Sequence, residues 1–102
     1  MSKLLSCLGL AHKAGKIIYG ERTIEMIQKQ QAQLVIITND ASANTKKRIK
    51  DKCAFYHVKC YEILNSNDLF QATHKVNRMY CAIIDNNFKK LIETKIEEEY
   101  NG

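Results

Sequence analysis

The sequence has no proline and only four glycines in 102 residues. Irregular chain segments draw on those residues, so nearly all of this chain is expected in regular elements with short connections. No apolar run approaches the ~18 residues that a membrane-spanning helix needs. The apolar stretch from Leu4 to Ala11 is too short for a secretory leader and is broken by Ser6 and Cys7. Lys13 and Lys16 follow it, where a cleavage site would be expected. No membrane association is expected, and the location read from the sequence is cytoplasmic. Cys7, Cys53, Cys60 and Cys81 form no Cys-x-x-Cys pair, and His12, His57 and His74 do not complete a zinc-site spacing. The cysteines read as buried free thiols of a reducing compartment, with no metal site and no cofactor.

Signatures of catalysis are missing as well. Gly9, Gly15 and Gly20 match neither standard nucleotide fingerprint. Ser6 lacks the context of a nucleophile elbow. The three histidines are far apart and read as structural or surface residues. The acidic cluster at Glu93 and Glu97 to Glu99 reads as a solvated helix face. Distant residues can converge in a fold, but no titratable pair is visible. The chain is read as a non-enzyme without a small-molecule substrate.

What is present is a globular composition, 45% hydrophobic and 26% charged, of a size for one domain spanning residues 1–102. The formal net charge is +5, and it is unevenly placed. Residues 1–52 carry ten Lys/Arg against four Asp/Glu, whereas residues 53–102 carry six against seven. A basic half on a small domain points to a polyanionic partner, against the plainer reading of a solvated surface.

Leu4, Leu5, Leu8 and Ala11 recur at helical spacing, which predicts a helix over residues 3–13 ended by Gly15. Ile17-Ile18-Tyr19 then predicts a short strand closed by Gly20. A second helix is expected from Glu21 to about Gln30, with Ile24 and Ile27 inward. Leu34-Val35-Ile36-Ile37 is a continuous apolar run, as in a strand covered on both faces. The polar stretch Thr38 to Thr45 offers several N-caps for a third helix, from about Thr45 to Cys53. Val58 to Ile63 predicts strand three. Asn65 or Ser66 can cap a helix through Ala72. Strand four is read from Tyr80 to Ile84. Asp85 or Asn86 caps a last helix that points Phe88, Leu91 and Ile92 inward, with a tail from Glu97 to Gly102 expected to fray. This alternation predicts an α/β fold: a three-layer α/β/α sandwich, with a mixed sheet of about four strands and helices on both faces.

Three connections are candidates for anion binding. Gly20-Glu21-Arg22-Thr23 joins a strand to a helix, whose first turn exposes N–H groups and a positive dipole end. Arg22 adds a fork of donors and Thr23 a hydroxyl. Glu21 would also favour the helix start by itself. Asp40 to Thr45 opens a second helix, followed by Lys46, Lys47, Arg48, Lys50 and Lys52. That basic run reads equally as solubility or as contact with an RNA backbone. His74-Lys75-Val76-Asn77-Arg78 is the third, and in an alternating fold such loops can share one edge.

Leu8 to Lys16, then Gly20-Glu21, resemble the opening of the bacterial YlxQ-type proteins, a branch of the kink-turn RNA-binding ribosomal protein superfamily. Asn39 to Lys47 and Asp51-Lys52-Cys53 resemble that branch too, as do Leu69, Ala72, Lys75, Arg78, Ala82 to Asp85 and Phe88. The resemblance covers nearly the whole chain. It implies an α/β/α sandwich that binds structured RNA, reading shape and exposed bases. In that superfamily the start of the second helix enters a bent duplex, where an Asn-Glu-x-x-Lys pattern reads sheared G·A pairs. The loop before the last strand packs on a flipped-out nucleotide. Here those three positions hold Arg22, Thr23 and Met26. Arg22 and Thr23 can donate hydrogen bonds, but neither is a carboxylate, and Met26 reads as core. His74 stands where a glycine is usual after the fourth helix, and Phe70 replaces an earlier one. Phe70 can stack on a base or pack in the core.

The reading is a non-catalytic, ribosome-associated RNA-binding protein. Gly20, Glu21, Arg22 and Thr23 form the central contact. Lys16, Lys46, Lys47, Lys75 and Arg78 flank it, and Val76 and Asn77 meet an extruded base. The rival is a protein-interaction module in ribosomal or RNA-processing assemblies, in which RNA specificity has weakened or been lost.

Overall fold

Leu34, Val35, Ile36 and Ile37 are all fully buried, because this strand has a helical layer on each face. Leu34 and Ile36 point into one core and Val35 and Ile37 into the other. The computed structural model describes residues 2–101. Its elements are α1 (Lys3–Lys13), β1 (Ile17–Tyr19), α2 (Glu21–Gln28), β2 (Leu34–Ile37), α3 (Ala43–Phe55), β3 (Lys59–Glu62), α4 (Ser66–Thr73), β4 (Tyr80–Ile83) and α5 (Asn86–Ile96). The strands lie in the order β1-β4-β2-β3. β4 runs antiparallel to both neighbours, and β2 and β3 are parallel. The sheet is therefore mixed, and the sandwich has three layers.

The first core joins α1, α4 and α5 to the sheet through Leu4, Leu8, Leu69, Ile92 and Ile96. The second joins α2 and α3 through Ile27, Ile49 and Cys53, with Met26 packed at its edge. Each fully buried Leu or Ile contributes roughly 1.5–3 kcal/mol. Gly9 lets α1 press on α4: a Cβ there would stand 3.0 Å from the Ala72 carbonyl oxygen. Any side chain there would make the Ala72 carbonyl give way by a few tenths of an ångström.

Local polar chemistry sets the helix starts. Ser42 accepts from the Thr45 N–H at 3.1 Å, so α3 begins two residues before the expected Thr45. Asn65 and Asp68 form a reciprocal capping box at α4, and Asp85 accepts from the Phe88 N–H at 2.9 Å. Such caps contribute on the order of 1 kcal/mol each. α2 stops at Gln28, before the expected Gln30, because Gln30 turns to φ 60 and the next two N–H groups return to the Met26 carbonyl.

Two expectations are corrected. Leu91 is not an inward residue: it is 39% exposed. The inward stripe of α5 runs Phe88, Ile92, Ile96, and Leu91 lies roughly 100° around the helix from Ile92. The tail does not fray at Glu97. The chain continues through a wider π-helical turn, Glu97–Asn101, and the Glu99 carboxylate accepts from the Leu4 N–H at 2.9 Å. That bond ties the tail to the open start of α1. Gly102, the end of the expected tail, lies outside the described residues.

All four cysteines are free. The Cys53 thiol on α3, helped by Lys50, holds Cys60 on β3 below the ordinary thiol value. The neighbouring Cys60 thiol and burial push Cys53 up.

Candidate nucleic-acid interface

The register puts four strand ends on one rim. Tyr19 ends β1 opposite Cys81, and Tyr80 begins β4 opposite Ile37, which pairs with Glu62 at the end of β3. The turn after β1 and the loop before β4 are therefore neighbours. So are the loops after β2 and β3, where the Asn39 N–H donates to Leu64 O at 2.7 Å. The Thr38 N–H donates to Met79 O at 2.8 Å and links the two pairs of loops.

At the centre of this rim Gly20 adopts φ 64, ψ −146, a conformation nearly closed to residues with a side chain. α2 starts directly after it, with no side-chain cap on its first N–H groups. Arg22 is exposed, and among the described residues no ion pair holds it. Across the rim, Arg78 Nη1 stands 3.6 Å from where a Gly20 Cβ would be. The Arg78 guanidinium also reaches the Tyr19 ring. His74 closes α4 in the left-handed region at φ 61 and stands edge-on to Phe70. Val76 is 64% exposed, and Asn77 is left-handed at φ 56, which turns the loop outward between them.

Several side chains support this centre. Tyr19 OH and His12 Nδ1 share a hydrogen bond of 2.8 Å. Burial pushes the Tyr19 phenol up to about 12, so it stays neutral. Glu21 is held by the Arg48 guanidinium at 3.3 Å and by the Tyr80 hydroxyl, which donates to it at 3.4 Å. Arg48 also donates to Tyr80 at 3.2 Å, so the three groups form a closed triangle. The carboxylate is thus aimed, and it is still open to solvent.

The fold therefore gathers Gly20, Glu21, Arg22, Lys75, Val76, Asn77 and Arg78 on one rim. It does not bring the other predicted residues to that part of the rim. Thr23 is fully buried; its hydroxyl donates inward to Ile18 O at 3.2 Å and its N–H to Gly20 O at 2.9 Å. It is one helical position past Arg22, which rotates it from solvent to core. Lys16 is at the opposite end of the sheet, where its carbonyl accepts from Ile84 N–H before β1 begins. Lys46 turns to the β3 edge and pairs with Glu62 at 3.1 Å, three strand spacings (roughly 14 Å) from β1. Lys47 is exposed on α3 and pairs with Asp51 at 2.9 Å. Sequence reasoning did not assign Tyr19, Arg48 or Tyr80 to the site. Arg48 was visible only as one cation in a run, and Tyr80 as the first residue of a strand.

Among the described residues, no group of three His, Cys, Asp or Glu side chains is placed to hold a metal ion. Among the described residues, no helix is long and apolar enough to cross a membrane.

The pattern of the ribosomal protein L7Ae/L30e/S12e/Gadd45 family matches residues 2–93. The chain is 41% identical over 96 residues to the RNA-binding protein YlxQ of Enterococcus faecium, covering 93% of this chain and 92% of that one. It is 39% identical over 87 residues to the RNA-binding protein YlxQ of Bacillus subtilis strain 168, covering 83% and 87%. Among solved structures, a Bacillus halodurans protein of unknown function superposes with a TM-score of 0.88 at 32% identity, covering 95% of this chain and 99% of that one. A Giardia lamblia 15.5kD RNA binding protein superposes at 0.74 with 19% identity, covering 93% and 82%, a likeness of fold alone.

Proposed function

We propose, since the chain belongs to the ribosomal protein L7Ae/L30e/S12e/Gadd45 family, that it is a single-domain, non-catalytic, cytoplasmic RNA-binding protein of ribosomal assemblies. The relatives with which it shares 41% and 39% identity carry the name RNA-binding protein. The observation that carries the reading is the meeting of the Gly20 turn with the Arg78 loop, where Arg78 Nη1 stands 3.6 Å from the place a Gly20 Cβ would take. That meeting puts an uncapped helix start, Arg22 and the exposed Lys75–Arg78 loop on one surface. Such a surface offers donors to phosphate and an apolar tip, Val76, to an unstacked base.

In this reading the start of α2 and Arg22 meet the backbone or a guanine edge of a sharply bent duplex. Arg22 forks to two acceptors at once. The buried Thr23 cannot serve the RNA, so Glu21 supplies the acceptor for a base N–H, held in place by Arg48 and Tyr80. Lys75 and Arg78 neutralise phosphates, and Asn77 and Val76 receive an extruded nucleotide. Lys47 is an outlying contact, because an exposed ion pair is weak enough to exchange its carboxylate for a phosphate. Lys16 and Lys46 have no part in it.

A titration against a kink-turn RNA and a matched plain duplex, each at low and near-physiological salt, tests this. The expected result is tighter binding to the kink-turn that survives the higher salt. Equal, salt-sensitive binding to both would reduce the protein to a basic surface. Binding to neither would sink the RNA reading and favour a protein-interaction module.

A further inference from the structure

Helices α1 and α4 enclose a groove of about 400 Å³ on the face of the sandwich away from α2. Gly9 and Ala72 form its floor, and the absence of a Gly9 side chain lets the helices close to a narrow slot. Leu10, 56% exposed, makes one apolar wall. Ser6 and Gln71 offer hydrogen bonds along it. The ionisable lining residues are His12, Lys13 and His74, with no carboxylate among them. His12 and His74 stand at the end that opens on the interface: His12 bonds Tyr19, and His74 begins the loop that carries Lys75 to Arg78.

We infer that this groove takes one unpaired nucleotide of a bound RNA, next along the strand from the nucleotide received by the Val76–Asn77 loop. The inference rests on the RNA-binding reading above. Three features favour this occupant. The lining's ionisable groups are all bases, which suits a phosphate and disfavours a basic partner. The slot is continuous with the candidate interface through His12 and His74, so a strand leaving that loop enters it directly. Its volume lies within the range of small-ligand pockets, and α4 spans only about 12 Å, which matches a nucleotide rather than an extended partner. A docked helix would need a row of apolar anchors, and Leu10 is the one substantially exposed apolar side chain in this lining. The base would sit on the Gly9–Ala72 floor between Leu10 and the His74 ring, with Gln71 and Ser6 at its edge.

The test compares one kink-turn RNA with the same RNA carrying a short single-stranded extension after its extruded nucleotide, against the unchanged chain and Leu10→Glu. The extension is expected to tighten binding to the unchanged chain roughly tenfold, the scale of one stacked base. Leu10→Glu, at an exposed position, should remove that gain, keep the affinity for the unextended RNA and keep the melting temperature. No gain from the extension, or an equal loss on both RNAs, would overturn the assignment. Amide chemical shifts on adding a free uridine tetranucleotide separate this idea from the wider reading. Shifts confined to Gly9, Leu10, Gln71 and Ala72 would support the groove even if the kink-turn were not bound. Stationary groove amides while the kink-turn binds would discard the groove and keep the interface.

Discussion

The Arg78 guanidinium carbon lies 6.0 Å from the centre of the Tyr19 ring. Through this pair the loop before the last strand is fixed to the turn after the first, two segments 59 positions apart in the chain. A cation–π contact of this kind contributes about 0.5–1 kcal/mol at an exposed site. Its larger effect is to position: it holds Arg78 beside Gly20.

Replacing Arg22 by Ala is expected to weaken RNA binding by about 1–3 kcal/mol, the scale of one good forked contact. The melting temperature should hardly move, since Arg22 is exposed and holds no partner among the described residues. An RNA titration of this variant that overlays the unchanged protein would remove Arg22 from the interface.

Lys75→Ala should lower the slope of log affinity against log salt by about one unit, because one phosphate contact is lost. Lys16→Ala, at the other end of the sheet, should leave that slope unchanged. If Lys16 changes the slope and Lys75 does not, the rim has been assigned to the wrong end of the sheet.

Thr23→Val keeps the shape of the side chain and removes the hydroxyl that donates to Ile18 O. The variant should lose about 0.5–1.5 kcal/mol of stability, the net contribution of one hydrogen bond. RNA affinity should stay the same. Weaker binding without lost stability would place the hydroxyl on the RNA after all.

Asp40 accepts from the Ser66 hydroxyl and N–H and pins the loop after β2 to the start of α4. The Ser66 hydroxyl first, then Thr38, holds the Asp40 carboxyl below its ordinary value of 3.8. A carboxyl depressed in the folded state contributes stability that is complete above the ordinary value and is lost as pH falls through the folded one. Denaturation midpoints of the unchanged protein and Asp40→Asn should therefore differ at neutral pH and converge as the pH falls through the folded-state value, below the ordinary 3.8. A gap that persists in acid would show that the carboxylate charge is not what matters.

Cys60 is the half-buried thiol held below the ordinary value, while burial pushes Cys81 up to about 12 and raises Cys7. Because the thiolate is the nucleophile, a limiting amount of iodoacetamide should label Cys60 first. Peptide mapping that finds Cys7 or Cys53 labelled earlier would contradict this order.

Much of this molecule is legible along the chain because its local patterns agree with its fold. The unbroken apolar run Leu34 to Ile37 announces a strand covered on both faces, and helical spacing at Leu4, Leu8 and Ala11 announces a helix against one of them. Gly15 and Gly20 mark the boundaries of a three-residue strand, and both have positive φ. The misreadings come where two phases are equally plausible. Leu91 and Ile92 are both apolar, and only the packing of Ile96 selects the stripe that includes Ile92.

The candidate site was legible as a set of residue types and not as a surface. By itself the sequence determined the order of helices and strands, the three layers, the turn at Gly20 and the basic character of the connections, because helix phase, strand period and turn chemistry are properties of neighbouring residues. Only the tertiary structure decided which connections meet. Inserting β4 between β1 and β2 brings Arg78 to Gly20 and Tyr80 to Glu21. The same arrangement leaves Lys16 at the far end of the sheet and turns Thr23 into the core. Strand order is settled by which buried faces fit together across the whole chain, and no stretch of local pattern carries that information.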